Sequence, residues 1–117
     1  MAASDEPLFH IVSRADWRAQ TSGGAYHPPS LAQEGFIHLS TRVQVIETAN
    51  LFFKGKTGLQ LLELAIDAKD PALKWEPPAG AHSRDGLFPH YYAELPLKAV
   101  RKIHAFEPRA DGSFAPP

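Results

Sequence analysis

The chain has 117 residues, 44% of them apolar and 21% charged, with a formal charge of −1. That length makes one domain, able to bury roughly two thirds of its unfolded-chain surface. The near-neutral charge supplies neither the basic stripe of a DNA binder nor the polybasic patch of a membrane-surface protein.

With no cysteine there is no disulfide framework, thiol nucleophile or thiolate-ligated metal, which fits a reducing, cytoplasmic setting. "MAASDEPLFH" lacks the basic region and apolar core of a signal peptide, and no run reaches membrane-spanning length. Residues 1–6 and 108–117, rich in Pro, Asp, Gly and Ser, are expected to be a loose start and a flexible tail around a single domain over 7–107.

"PLFHIV" is apolar on both faces and predicts an inner strand. "SRADWRAQ" predicts a short helix, with Ser13 as N-cap and Asp16 three residues on. Gly23-Gly24 is expected to end it, and "YHPPS" to force an extended turn. One helical turn at "SLAQE" precedes a strand at "GFIHLS". Thr41 and Gln44 form a second capping box, and Val45, Ile46, Ala49, Phe52 and Phe53 share one helix face. "LQLLELAID" is balanced between helix, by propensity, and buried strand, by length. "LKWEPP" reads as an edge strand, and "GLFPHYYAEL" and "VRKIHAFEP" as two more. The sum is an α+β domain of small mixed sheets with two or three helices.

His10 and His38 each stand in an apolar strand, three residues before a helix cap. If their strands were parallel neighbours, two imidazoles and two helix N-termini would converge on a place suited to a phosphate. The plainer alternative is that each ring only bonds a main-chain carbonyl. In "FPHYY", alternation puts Phe88, His90 and Tyr92 on one face and Tyr91 on the other. His90 and Tyr92 are therefore the better pair for a pocket. Glu76 in "KWEPP" and Arg84 in "HSRDG" are charges in Pro/Gly-rich loops, where most are simply solvated. His27, His82 and His104 carry no supporting pattern. The histidines lack paired metal-ligand spacing, so no metal is expected.

"LFHI…ADW", "GFIHLS" and "LFPHYY" together resemble the uncharacterised bacterial and plant family known as domain of unknown function 952, over about residues 7–107. That family resembles a compact ADP-ribosyltransferase fold, a split pair of small sheets around a cleft, and the resemblance favours a strand at "LQLLELAID". It implies that His10 sits where such transferases hold nicotinamide or ribose. "FIHLS" is similar to the His-x-His-Leu-Ser strand of RNA 2′-phosphotransferases, which adds His38 and Ser40. His90 falls where many transferases carry a catalytic glutamate, and an imidazole supplies no fixed negative charge there. The resemblance thus implies a small-molecule ligand, NAD or a related nucleotide; separately, a monomer or weak oligomer is expected. The candidate catalytic residues are His10, His38 and His90; the candidate substrate-binding residues are Ser40, Tyr92, Glu76 and Arg84. A phosphate-directed enzyme and a binding module without turnover both remain open.

Overall fold

The computed structural model describes residues 6–78 and 86–116, so Arg84 lies outside the described residues. The first strand, β1 (Leu8–Ser13), runs into α1 (Arg14–Ala19), where the Ser13 hydroxyl accepts from the Asp16 N–H at 3.0 Å. A small hairpin, β2 (Thr21–Ser22) and β3 (Ala25–Tyr26), comes next. Gly23 and Gly24, at φ 59° and 80°, make its turn rather than ending the helix, because a tight hairpin needs two left-handed residues. Helix α2 (Pro29–Gln33) and strand β4 (Ile37–His38) lead to α3 (Arg42–Phe52), whose Thr41–Gln44 capping box is closed in both directions. The rest is β5 (Leu59–Leu64), β6 (Leu73–Glu76), β7 (Phe88–Tyr91), β8 (Leu95–Pro96) and β9 (Val100–Phe106).

The strands form three sheets of order β1-β5-β9, β2-β3-β8 and β4-β7-β6. Every pairing is antiparallel, so the expectation of mixed sheets is corrected. β1 is an edge strand of its ladder, not an inner one. Its two-faced apolarity has another cause. Leu8 and Val12 enter one core cluster with Tyr26, Leu62 and Leu64, while Phe9 enters a second with Val45, Ala49, Leu61 and Phe106. A strand lying between two cores is apolar on both faces wherever it stands in its sheet.

The ambiguous "LQLLEL" is the middle strand β5, with Leu62 and Leu64 in the first core and Leu59 and Leu61 in the second. The segment expected to be a flexible tail folds back. Phe114 is 1% exposed, stacks on Phe106 at 4.7 Å, and its N–H donates to Asn50 Oδ1 at 2.8 Å. Among the described residues no helix is long and apolar enough to cross a membrane.

One bridge joins the first and third sheets. The Phe9 N–H donates to the Ser40 carbonyl at 2.7 Å, and the Ser40 N–H to the Phe9 carbonyl at 2.9 Å. Because this bridge is antiparallel, the caps Ser13 and Thr41 lie toward opposite ends of it, and the two helix N-termini do not form a shared anion site. Pro89 keeps β4 short. Its carbonyl accepts from the Leu39 N–H at 3.0 Å, so its own nitrogen, which carries no hydrogen, faces the same neighbour.

Candidate functional site

A cavity of about 470 Å³ opens where the first and third sheets meet, and His10, His38 and His90 all line it. The three rings come from different strands and differ in what each has left to offer.

His10 is fully engaged. Its Nδ1–H donates to the His38 carbonyl at 2.7 Å, since a carbonyl can only accept, and its Nε2 lies 2.8 Å from the Tyr26 hydroxyl. Burial, opposed by the bond to the His38 carbonyl and assisted by the nearby His38 ring, lowers its pKa to about 4. The ring is therefore neutral near pH 7, and Nε2 accepts from Tyr26. That hydroxyl is itself held well above its ordinary pKa, chiefly by burial and then by Asp16.

His38 ends β4 and is exposed to solvent. Its Nε2 lies 3.1 Å from both carboxylate oxygens of Glu34, four residues earlier. His90 is opposite in character. Its side chain is 4% exposed against 44% for His38, and its Nδ1 lies 2.7 Å from Glu76 Oε1. The two residues are cross-strand partners in the β4–β7 ladder, and their rings meet edge-on with centroids 5.7 Å apart. Phe36 supports both, stacked on His90 at 4.1 Å and tilted against His38 at 4.7 Å.

Ser40 is buried, lines the cavity, and its Oγ lies 3.5 Å from Thr48 Oγ1. Glu76 and Tyr92 are not among the residues that line the cavity. The Tyr92 hydroxyl donates to Glu76 Oε1 at 2.7 Å. Bonds from Tyr92 and then His90 hold the Glu76 carboxyl below its usual range, and the same carboxylate raises the Tyr92 hydroxyl. Tyr91 points the other way, into the first core, and donates to Asp70 at 2.8 Å. His27 and His104 make separate contacts with Glu94 and Glu63, away from the lining.

Sequence reasoning missed Tyr26, Glu34 and Phe36. The last two carried a signal, since Phe36 shares an alternating face with His38 and Glu34 closes the turn just before that strand. Tyr26 carried none, because only the tertiary fold brings the hairpin to His10.

The family model described as protein of unknown function, DUF952, matches residues 11–103. The chain belongs to this family. Among solved structures, this DUF952 chain is similar to the crystal structure of protein CC0527 from Caulobacter crescentus. The two are 34% identical over 93% of each chain, with a TM-score of 0.77. A crystal structure of a double mutant of CC0527 gives the same values. Its solution NMR structure is 33% identical over 92% of this chain and 90% of that one, again with a TM-score of 0.77. A comparison with curated proteins returns no match.

Proposed function

We propose that this DUF952 protein binds a small molecule in the cavity, NAD or a related nucleotide by class, in a cleft of ADP-ribosyltransferase-like arrangement. One observation carries the reading: three imidazoles on three strands face one open hollow whose remaining wall is largely apolar, with Phe52 and Phe88 among it. Flat rings suit such a wall, and a few converging polar groups on an apolar pocket are the usual form of a ligand site. Placing the protein in the cytoplasm as a monomer or weak oligomer belongs to the same reading.

Chemistry dependent on a glutamate at position 90 is disfavoured, and a phosphate-directed reaction through the histidines is the enzymatic form we favour. A binding module without turnover is the second reading. It is supported by Glu76, the carboxylate nearest His90, which is engaged by His90 and Tyr92 and does not line the cavity.

The test is an NMR titration of the full chain with NAD and with ADP-ribose. Millimolar nucleotide should shift the imidazole signals of His38 and His90 and the amide of Ser40, while His104 stays still. Unchanged spectra at that concentration reject the nucleotide reading.

A further inference from the structure

We infer that His38 and His90 form an acid–base pair acting on a phosphodiester of a nucleoside, with Glu34 and Glu76 as positioning residues and His10 as a clamp rather than a catalyst. The inference rests on the nucleotide reading above and adds to it a reaction and a division of labour.

Three observations support it. The first is partner count. Both nitrogens of His10 are committed inside the protein, so it has neither a lone pair nor a proton for a ligand. His38 and His90 each have one nitrogen on a carboxylate, at 3.1 Å and 2.7 Å, and among the described residues the other nitrogen has no hydrogen-bond partner and remains for chemistry. A carboxylate behind an imidazole fixes its orientation and strengthens it as a base, the relation found in hydrolytic triads. The second is spacing. The ring centroids lie 5.7 Å apart and both rings line the one cavity, so a single group bound over the pair is within reach of both by hydrogen bonds of about 2.6–3.2 Å.

The third is the contrast between the two environments. His90 is buried with the shorter contact to its carboxylate, whereas His38 is open to solvent and meets water. Glu34 on the loop after α2, Glu76 on β6, Tyr92 after β7 and the neutral His10 on β1 are the titratable groups, among the described residues, disposed around the pair.

In the step itself, a water oxygen attacks phosphorus as His38 takes the water's proton. The bond from phosphorus to the ribose oxygen breaks, and that oxygen receives a proton from His90. The products are a phosphomonoester and a free hydroxyl. His38 ends protonated and His90 neutral, and exchange with bulk water resets the pair. No oxidant, metal or further reactant enters.

The experiment follows adenosine 2′,3′-cyclic phosphate with the full-length protein by ³¹P NMR across pH. The expected result is turnover with a bell-shaped pH profile, reduced at least 100-fold in His38→Ala and in His90→Ala, a loss in the range typical of general acid or base removal. Glu34→Gln and Glu76→Gln should each lower kcat several-fold with KM little changed, because each loosens the imidazole it orients. A purely structural role for the glutamates would leave kcat unchanged while the variant is folded. His38 is exposed, so its variants keep the fold and the test does not depend on His90→Ala folding. Turnover that survives His38→Ala overturns the inference. If the nucleotide shifts the His38 and His90 signals but is not hydrolysed, the inference fails while the binding reading stands. If it neither shifts them nor is hydrolysed, both fail.

Discussion

The sheet β1-β5-β9 and the sheet β4-β7-β6 use histidine in opposite ways. In the first, His10 has both nitrogens satisfied by a carbonyl and a tyrosine, and it acts as a polar bolt between β1, β3 and β4. In the second, His38 and His90 each make one internal bond to a carboxylate and turn toward the same hollow. Their settings in the sequence look alike, an imidazole among apolar residues in a strand. What separates them is how many ring nitrogens are engaged among the described residues. On the proposed reading the first sheet is scaffold and the second carries the chemistry, and mutations should divide the same way.

The largest effect belongs to the scaffold. Leu61 is fully buried in the middle strand, among Phe9, Val45, Ala49 and Phe106. Leu61→Ala should cost about 2–5 kcal/mol in denaturant unfolding, the usual range for a cavity left in a core. Nucleotide-induced shifts at His38 should persist at temperatures where the variant is still folded. Loss of less than about 1 kcal/mol would mean that β5 is not the centre of the core.

His10 gives the next effect, through pH. Its folded-state pKa of about 4 lies below the ordinary 6.5, so between those values the unfolded chain binds the extra proton. Stability from this group is complete above about pH 6.5 and falls as pH drops toward 4. The full loss is up to about 3 kcal/mol at 1.36 kcal/mol per pH unit. Comparing urea midpoints at pH 7 and pH 4.5 for wild type and His10→Gln checks this. The slope should be shallower in the variant, and equal slopes would show that His10 is not the group responsible.

Smaller again is the contrast between two neighbouring tyrosines. Tyr91 is buried, and its hydroxyl donates to Asp70 at 2.8 Å; burial, then that carboxylate, pushes its pKa up to about 12. Tyr91→Phe should cost about 1–2 kcal/mol, the range for a partly buried bond to a charged acceptor. Tyr92→Phe, at an exposed position, should cost a few tenths. Reversed magnitudes would contradict the alternation that places these side chains on opposite faces.

That alternation was legible in "FPHYY", as were both helix caps, because each depends on residues only a few positions apart. The central placement of β5 was not. Leucine, glutamine and glutamate favour helix, and only burial between two cores makes them a strand. The packed C-terminus was hidden for a related reason. Composition marks "PRADGSFAPP" as loose, yet one phenylalanine stacked on Phe106 anchors it. His10 and His38 share an offset from their helix caps, but the antiparallel bridge at Phe9 and Ser40 sends the two caps in opposite directions, so that offset does not bring the rings together. What brings them to one hollow is long-range contact between sheets, and no local pattern encodes that.

The smallest stability effect is the sharpest test of the comparison. His38→Leu removes an exposed imidazole and its 3.1 Å contact with Glu34. Exposed pairs of this kind contribute about 0–1 kcal/mol, and leucine keeps the apolar contact with Phe36. The melting temperature should therefore stay close to wild type, within what about 0.5 kcal/mol produces. The nucleotide-induced shifts at His90 and Ser40 should nevertheless disappear. The His38 carbonyl, which is what His10 holds, is unaffected because it belongs to the backbone. A loss of 1–3 kcal/mol would instead mark this ring as another satisfied buried polar group, placing it with His10 on the structural side of the division.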